Sequence, residues 1–353
     1  MKHKDLFNLL DNIKEDGDTI QTGERILLID GLNLFFRNFA MLNMVNPNGV
    51  HIGGLGGFFR SLGALIRQIN PTQVYVVFDG AGSANNRKNL IPEYKSGRDL
   101  QRITNWEAFD DIEDEHGAKV DQMVRIIQYL KTLPVKTVSI DKVEADDIIA
   151  YLSRIIPKDP KDKAFIVSSD KDFIQLVDDR IAVWSPTKKK LYFTNDVQED
   201  YKLPAHNYLL YRTLTGDKSD NIPGIRGTGV TTLQKRLPIL FSETKVTIDQ
   251  LIDECKDSKI KVMQNIFNNK EQLELNYKLM QLNEVDISGS SKNKIMDIIR
   301  NPIGRMNSTK LKLMVIEDGV TGVFRNLEFW LRERFLRLDT HADTFNKSCE
   351  SDK

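Results

Sequence analysis

Three short apolar runs in this chain each end in an aspartate, and segments with helical periodicity lie between them. Residues 25–29 (RILLI) lead into Asp30, residues 73–78 (QVYVVF) into Asp79, and residues 163–168 (KAFIVS) into Asp170 by way of Ser169. Two further runs, at residues 137–140 and 180–184, have the same length and β-branched character. Each is short enough for a strand buried on both faces. The segments 58–69 (FFRSLGALIRQI), 123–133 (MVRIIQYLKTL) and 146–156 (DDIIAYLSRII) are amphipathic, the last placing Ile148, Ile149, Leu152, Ile155 and Ile156 at helical spacing. Alternating strands and helices predict an α/β fold with a mainly parallel sheet flanked by helices. Beyond about residue 200 no strand pattern stands out, and the chain reads as helical.

Open sheets of this kind place ligand sites at the carboxyl ends of their strands. A DG pair is by itself a common tight turn. Two of them after parallel-type runs, with SSDKD as a third, point instead to acids converging on one rim. The segment VEADDIIAYL adds Glu144, Asp146 and Asp147 in the first turn of a helix, where the macrodipole also favours negative charge. Glu144 and Asp147 are three apart and share a face, so one helix end can grip a cation. Asp170 reads equally as the N-cap of a helix starting near Asp172, or as both cap and ligand. Carboxylates gathered this closely repel one another unless protons or cations neutralise them, which predicts divalent metal.

Net charge is zero, from 50 basic and 50 acidic residues, so the chain is no uniformly basic nucleic-acid binder and charge distribution decides. Its 353 residues suffice for one large domain or two small ones. No apolar run reaches the roughly 18–20 residues of a bilayer span, and the first residues are too polar for a secretory signal, so a cytoplasmic protein without membrane contact is expected. Cys255 and Cys349 are far apart, and the five histidines show no zinc-ligand spacing. Residues 1–22 and 341–353 read as polar tails.

The segment from Thr215 to Leu237 (TGDKSDNIPGIRGTGVTTLQKRL) begins with Asp217 and Asp220. It then passes through a loop holding Gly224, Gly227 and Gly229, and ends in a helix with Lys235 and Arg236. Together with Arg226, these two residues give a local charge of +3, with no acid between Ile222 and Leu237. Glycine lets backbone N–H groups approach a phosphate closely, and the loop reads as a clamp on a nucleic-acid backbone.

In this order, LLIDGLN, VVFDG, EYKSGR, VEADDIIA, SSDKDFIQL and GDKSDNIPGIRGTG resemble the 5′ nuclease superfamily of flap endonucleases and 5′ to 3′ exonucleases, over roughly residues 25–240. The phage members of ribonuclease H type are the most similar in layout. The resemblance implies a PIN-like α/β domain over residues 23–200 with a helical arch at about 82–122. A helical region over 201–340 would follow, with a helix-hairpin-helix clamp at about 215–240. It implies two magnesium ions, replaceable by manganese: one among Asp30, Asp79, Glu144, Asp146 and Asp147, the other at Asp172, Asp217 and Asp220, with Asp170 between. It also allows a potassium ion at the glycine-rich loop. Two cations about 4 Å apart activate water and stabilise the leaving alkoxide in phosphodiester hydrolysis.

Residues 85–102 carry Arg87, Lys88, Lys95, Arg98 and Arg102 against Glu93 and Asp99, a net of 5 − 2 = +3. By composition this is a solvated helix face. By resemblance Lys95 and Arg98 contact the scissile phosphate, Arg87 and Lys88 assist in DNA binding, and Tyr94 stacks on a base. Lys188, Lys189 and Lys190 read as a surface turn or a nonspecific phosphate contact.

Two features depart from the family pattern. The acidic residues 110–115 (DDIEDE) would repel DNA where the arch continues, unless they face solvent. Arg226 and Thr228 replace the proline and isoleucine common in relatives.

The implied function is a metal-dependent nuclease acting as a monomer on 5′ flaps, nicked duplex or RNA–DNA duplex in phage replication. The alternatives are a PIN-type endoribonuclease and a noncatalytic structure-specific DNA binder. The segment 323–338 reads as an amphipathic packing helix. The family's behaviour adds the option of docking a phage single-stranded-DNA-binding protein or a sliding clamp there.

Overall fold

The computed structural model describes residues 23–96 and 102–351, with side chains as far as 347. The expected tail at 1–22, Arg98 and the side chain of Cys349 lie outside the described residues. The strands are β1 (Arg25–Asp30), β2 (Gln73–Val77), β3 (Lys136–Val138), β4 (Lys163–Val167), β5 (Ile181–Ser185) and β6 (Lys190–Tyr192). They form one sheet in the order β3-β2-β1-β4-β5-β6. The first five pair in parallel, and β6 closes one edge antiparallel to β5.

The helices of the α/β part are α1 (Gly31–Met41), α2 (Gly53–Ile69), α3 (Asn85–Lys88), α4 (Ile112–Leu130), α5 (Ala145–Ile155) and α6 (Thr194–Tyr201). They are followed by α7 (Tyr208–Thr215), α8 (Val230–Arg236), α9 (Ile248–Cys255), α10 (Lys261–Asn268), α11 (Lys270–Met280), α12 (Gly289–Arg300), α13 (Ser308–Glu317) and α14 (Leu327–Ser351).

The period of two along each strand assigns the core. In β1, Leu27 and Ile29 pack on the face covered by α1, α2, α4, α13 and α14, while Ile26 and Leu28 pack on the face covered by α5, α6, α7 and α12. Burying each of these four aliphatic side chains contributes about 1.5–3 kcal/mol, and all four have no exposed surface. A third apolar cluster, with Leu214, Leu233, Leu251, Ile266 and Leu273, holds α7 to α11 together as a helical lobe. Among the described residues no helix is long and apolar enough to cross a membrane.

Several boundaries differ from expectation for physical reasons. Helix α2 starts at Gly53, ahead of the amphipathic segment at 58–69, and its first glycines let α1 lie close to it. A Cβ on Gly54 would fall 2.5 Å from the Phe35 ring. The acidic run is the start of α4: the Asp111 side chain caps it, accepting from the N–H groups of Glu113 and Asp114 at 2.7 and 3.1 Å. Glu113 and Asp114 face solvent in the first turn, where the helix dipole favours them. Glu115 turns inward and accepts from the N–H groups of Thr104 and Asn105 and from Lys119. Lys188 and Lys190 belong to the β5–β6 hairpin and pair with Asp200 at 3.4 and 3.1 Å, so the surface-turn reading fits and their charge is already engaged.

Residues 341–351 are no tail. Helix α14 continues through them, Ala342 is fully buried, and the Asn346 side chain bonds to both backbone groups of Ile303. The amphipathic reading of 323–338 agrees with the packing: Leu331, Phe335 and Leu338 are buried against α2 and the sheet.

Candidate active site

Strand order sets the location. From β1 the chain steps outward to β2 and β3, then returns to β4 on the other side of β1, so the sheet reverses its progression between β1 and β4. A crevice opens outside the carboxyl ends of two such strands. Asp30 is the last residue of β1, and Asp170 lies three residues past β4. A small network holds them. Ser168 Oγ donates to Asp30 at 3.0 Å and accepts from the Asp170 N–H at 3.1 Å. Asp30 also caps α1, accepting from the Asn33 N–H at 3.0 Å, and Asn33 Oδ1 accepts from the Ser169 N–H. Asp79, past the end of β2 and exposed, accepts from the Ala145 N–H at 2.7 Å and so joins that strand end to the start of α5. Asp170 caps the 3-10 turn Lys171–Leu176 through the Asp172 N–H at 2.8 Å, fulfilling the capping role read from its position.

Burial pushes the Asp30 carboxyl up to about 7, and the charges of Asp79 and Asp170 add to the rise. Asp172 is likewise pushed up to about 7, by burial first and then by Asp170. Asp146 is raised well above the usual carboxylate range by burial, then by Asp170 and Asp30. These acids therefore feel one another, as clustered acids must in a weakly polarisable setting.

Glu144 behaves differently. Burial alone would raise it, but Arg87 and Lys95 together hold it below the usual range. The Arg87 guanidinium grips both Asp147 oxygens at 2.9 and 2.8 Å and lies 3.1 Å from Glu144, and the Lys95 ammonium bonds to Glu144. Glu144 and Asp147, expected to grip a metal from one helix end, thus hold cations that the chain itself supplies.

Two further expectations are corrected by the same packing. Arg87 does not present itself to DNA: its side chain turns inward and also donates to the Leu279 carbonyl at 3.0 Å. Tyr94 is no stacking platform, being 3% exposed among Leu209, Ile222, Leu279 and Met280, with its hydroxyl 3.3 Å from Glu144. Apolar surface from α7 and α11 draws the tyrosine in, and the buried acids draw in the bases beside it. Lys88 is half-buried on α3.

The second acid group is organised by Arg212 of α7, which sequence reasoning passed over. Its Nε donates to Asp172 at 2.8 Å, one terminal nitrogen to Asp217, and the other to the Gly216 carbonyl at 3.2 Å. Asp217 also accepts from the Ser219 N–H at 2.7 Å. Burial works against its charge, but Ser219 and Arg212 hold it below the usual range. Asp220 is 6% exposed, and its backbone carbonyl accepts from the Lys95 N–H at 3.2 Å. Asn221, in the left-handed region at φ 58°, donates to the Glu93 carbonyl at 3.0 Å. The GDKSDN turn and the EYKS segment are thereby one joint.

Beyond it, Gly224 is required by packing, since a Cβ there would fall 2.2 Å from the Thr215 carbonyl oxygen. Gly227, at φ 95°, adopts a conformation glycine alone takes freely, and Gly229 precedes α8. Arg226, Gly227, Gly229, Lys235 and Arg236 are all exposed, while Thr228 turns inward and donates to the Ile225 carbonyl at 2.6 Å. Below the loop the buried Asn276 side chain bonds to the carbonyls of Thr213 and Pro223 at 3.0 and 2.8 Å.

Among the described residues no three acidic, histidine or cysteine side chains close on a point as a finished ligand cage. The donor set at Asp30, Asp146 and Asp172 nonetheless suits a hard cation, being all oxygen and mutually repelling.

Comparison with known proteins agrees with this architecture. The family model for the 5′-3′ exonuclease N-terminal, resolvase-like domain matches residues 25–202, from β1 through α6. DNA polymerase I of Streptococcus pneumoniae strain R6 is 33% identical over 259 residues, which are 70% of this chain and 27% of the polymerase. The 5′-3′ exonuclease of Buchnera aphidicola is 29% identical over 267 residues, 73% of this chain and 86% of that protein. The bacteriophage T5 flap endonuclease, solved as a pseudo-enzyme–product complex with DNA and metal ions, shares the fold at a TM-score of 0.58 and 22% identity, covering 84% of this chain and 100% of that one. The chain spans about a quarter of the length of the polymerases it matches. With its acids on the strand ends of the matched domain, the chain belongs to the 5′-3′ exonuclease family.

Proposed function

We propose that this chain is a divalent-metal-dependent 5′ nuclease that hydrolyses phosphodiester bonds in 5′ flaps, nicked duplex or RNA primers. The observation that carries the reading is the gathering of acids from β1, β2, β4 and α5 at the reversal point of the sheet, with Asp30 and Asp172 pushed up to about 7. Oxygen-only donors suit magnesium or manganese, which when bound supply an activated water and stabilise the leaving oxygen. Asp30, Asp79, Asp146 and Asp170 would hold one ion, and Asp172, Asp217 and Asp220, with Asp170 shared, the other.

Around them the chain's own residues bind and orient the strand. Lys95 keeps its ammonium at the acid cluster through Glu144, beside the place a scissile phosphate must reach, with Arg98 three residues on. The exposed loop from Gly224 through α8 offers backbone donors together with Arg226, Lys235 and Arg236, a sequence-independent grip on a duplex backbone. A potassium ion at the carbonyls of that loop would add to the grip.

The test is cleavage of a 5′-labelled flap, a nicked duplex and an RNA-primed duplex in magnesium, comparing wild type with Asp170→Asn. The variant should keep DNA affinity and lose cleavage by at least about a thousandfold, about 4 kcal/mol of barrier. Binding without cleavage by the wild type, in magnesium and manganese alike, would leave a DNA-binding protein in place of a nuclease.

A further inference from the structure

We infer that the cleft between α2 and α14 binds single-stranded DNA, at a place separate from the acid rim. The inference goes beyond the catalytic reading above and does not depend on it, since a strand can be held in the cleft whether or not the rim cuts it.

The cleft encloses about 320 Å³. Ala64, Phe324 and Trp330 give it an apolar floor, and Arg60, Arg325 and Arg334 stand along it with one acid, Glu333. Arg67, three residues beyond Ala64 on the same face of α2, adds its charge to that of Arg334. Four bases against one acid leave 4 − 1 = +3 in a chain of zero net charge. Glu333 pairs with Arg334 at 3.2 Å. The side chains of Arg60, Arg67 and Arg325 are exposed and make no ion pair among the described residues. Arg334 Nε is buried without a hydrogen-bond partner, and burial first, then Arg67, holds that guanidinium below the usual arginine range despite Glu333. Like charges set this closely attract an anion.

Charge alone would fit an acidic peptide equally well. What favours DNA is the Phe329 ring, which lines the cleft 60% exposed and has no ring partner among the described residues. A cationic groove with an aromatic face open to a base holds single strands without regard to sequence, and guanidinium planes stack as well. The position keeps such a strand clear of the rim. Helix α2 ends where the Ile69 carbonyl accepts from Arg25 Nε at 2.7 Å, at the start of β1, whereas Asp30 ends that six-residue strand about 20 Å away. The ordinary reading of these arginines is a solvated face on two packing helices. Reversing their charge would then leave strand binding as it was.

The experiment is fluorescence anisotropy of a labelled thymidylate dodecamer with the full chain in EDTA, where the acids of the rim repel phosphate and no strand is cut. The double variant Arg60→Glu/Arg325→Glu should weaken binding at least about tenfold, and more at low salt. Phe329→Ala should weaken it at least about fivefold. An abasic dodecamer of the same charge should bind less well than thymidylate and be indifferent to Phe329→Ala. All three substituted side chains are exposed, so the variants should fold as the wild type does. Cleavage of a nicked duplex in magnesium should stay within about twofold in each, because the cleft is remote from the rim. Thymidylate binding that is unchanged by the arginine variant, or lost only with Lys235→Glu/Arg236→Glu, would return the cleft to a solvated face. Binding of a glutamate dodecamer as tight as that of thymidylate would make it a seat for acidic peptides and overturn the DNA assignment, and a parallel fall in nicked-duplex cleavage would overturn the separation from the rim. A wild type that holds thymidylate in the cleft but cuts nothing in magnesium or manganese would remove the nuclease reading and leave this one standing.

Discussion

Asp30 and Asp172 hold protons to about pH 7 because the site is buried and crowded with like charge. In the unfolded chain the same groups ionise near pH 4. A carboxyl whose folded value is raised contributes stability that is complete below about pH 4 and is lost as pH climbs through about 7. Metal binding must displace those protons, so a divalent cation should stabilise the protein most where they have already left. The gap between thermal midpoints in Mg2+ and in EDTA should therefore widen from pH 5 to pH 8; a constant or narrowing gap would contradict this account of the rim.

The acids were legible because each sits where a strand or helix end delivers it, a relation visible along the chain. The bases were not. Arg87, Lys95 and Tyr94 share a stretch that by composition is a solvated face, yet they turn inward to Glu144 and Asp147, some 50 to 60 residues away in sequence. Arg212 was hidden similarly: its partners are Asp217, five residues on, and Asp172, forty residues back. The local trace of its role is an arginine one helical turn ahead of GDKSD.

At the level of elements, strands with continuous apolar runs were readable and those defined by their neighbours were not. Strand β6 is three residues long and exists by pairing with β5, while α1 starts directly from the Asp30 cap with no polar spacer. The glycines of α2 illustrate a rule of contact outranking propensity. Alanine favours helix over glycine by about 1 kcal/mol, but overpacking against a core ring costs about 1–3 kcal/mol. Gly54→Ala should accordingly lower the thermal midpoint, since its Cβ would press on Phe35. An unchanged or raised midpoint would show that α1 and α2 can part at little cost. The acidic start of α4 carries the complementary lesson: a charge run that looks hostile to DNA is here a set of helix N-terminal residues.

Over the whole molecule, the C-terminal helix is part of the α/β core. Trp330 packs edge-on where Gly63 of α2 leaves room, and Phe335 is fully buried beside it. Phe335→Ala should cost about 3–5 kcal/mol in urea-induced unfolding, with cleavage unchanged under conditions where the variant stays folded. A loss well under 1 kcal/mol would mean that α14 is an appendage.

The Asn276 amide suggests how the protein answers ionic strength. It fixes the seat of the glycine-rich loop with neutral hydrogen bonds to Thr213 and Pro223, whereas the loop's outward surface is cationic. Counterions weaken the second kind of interaction far more than a buried example of the first. Raising salt should thus loosen DNA without altering the loop's shape. Inhibition by salt would then be fully reversible on dilution and would appear as a higher KM at constant kcat: the hand opens, but its fingers keep their form.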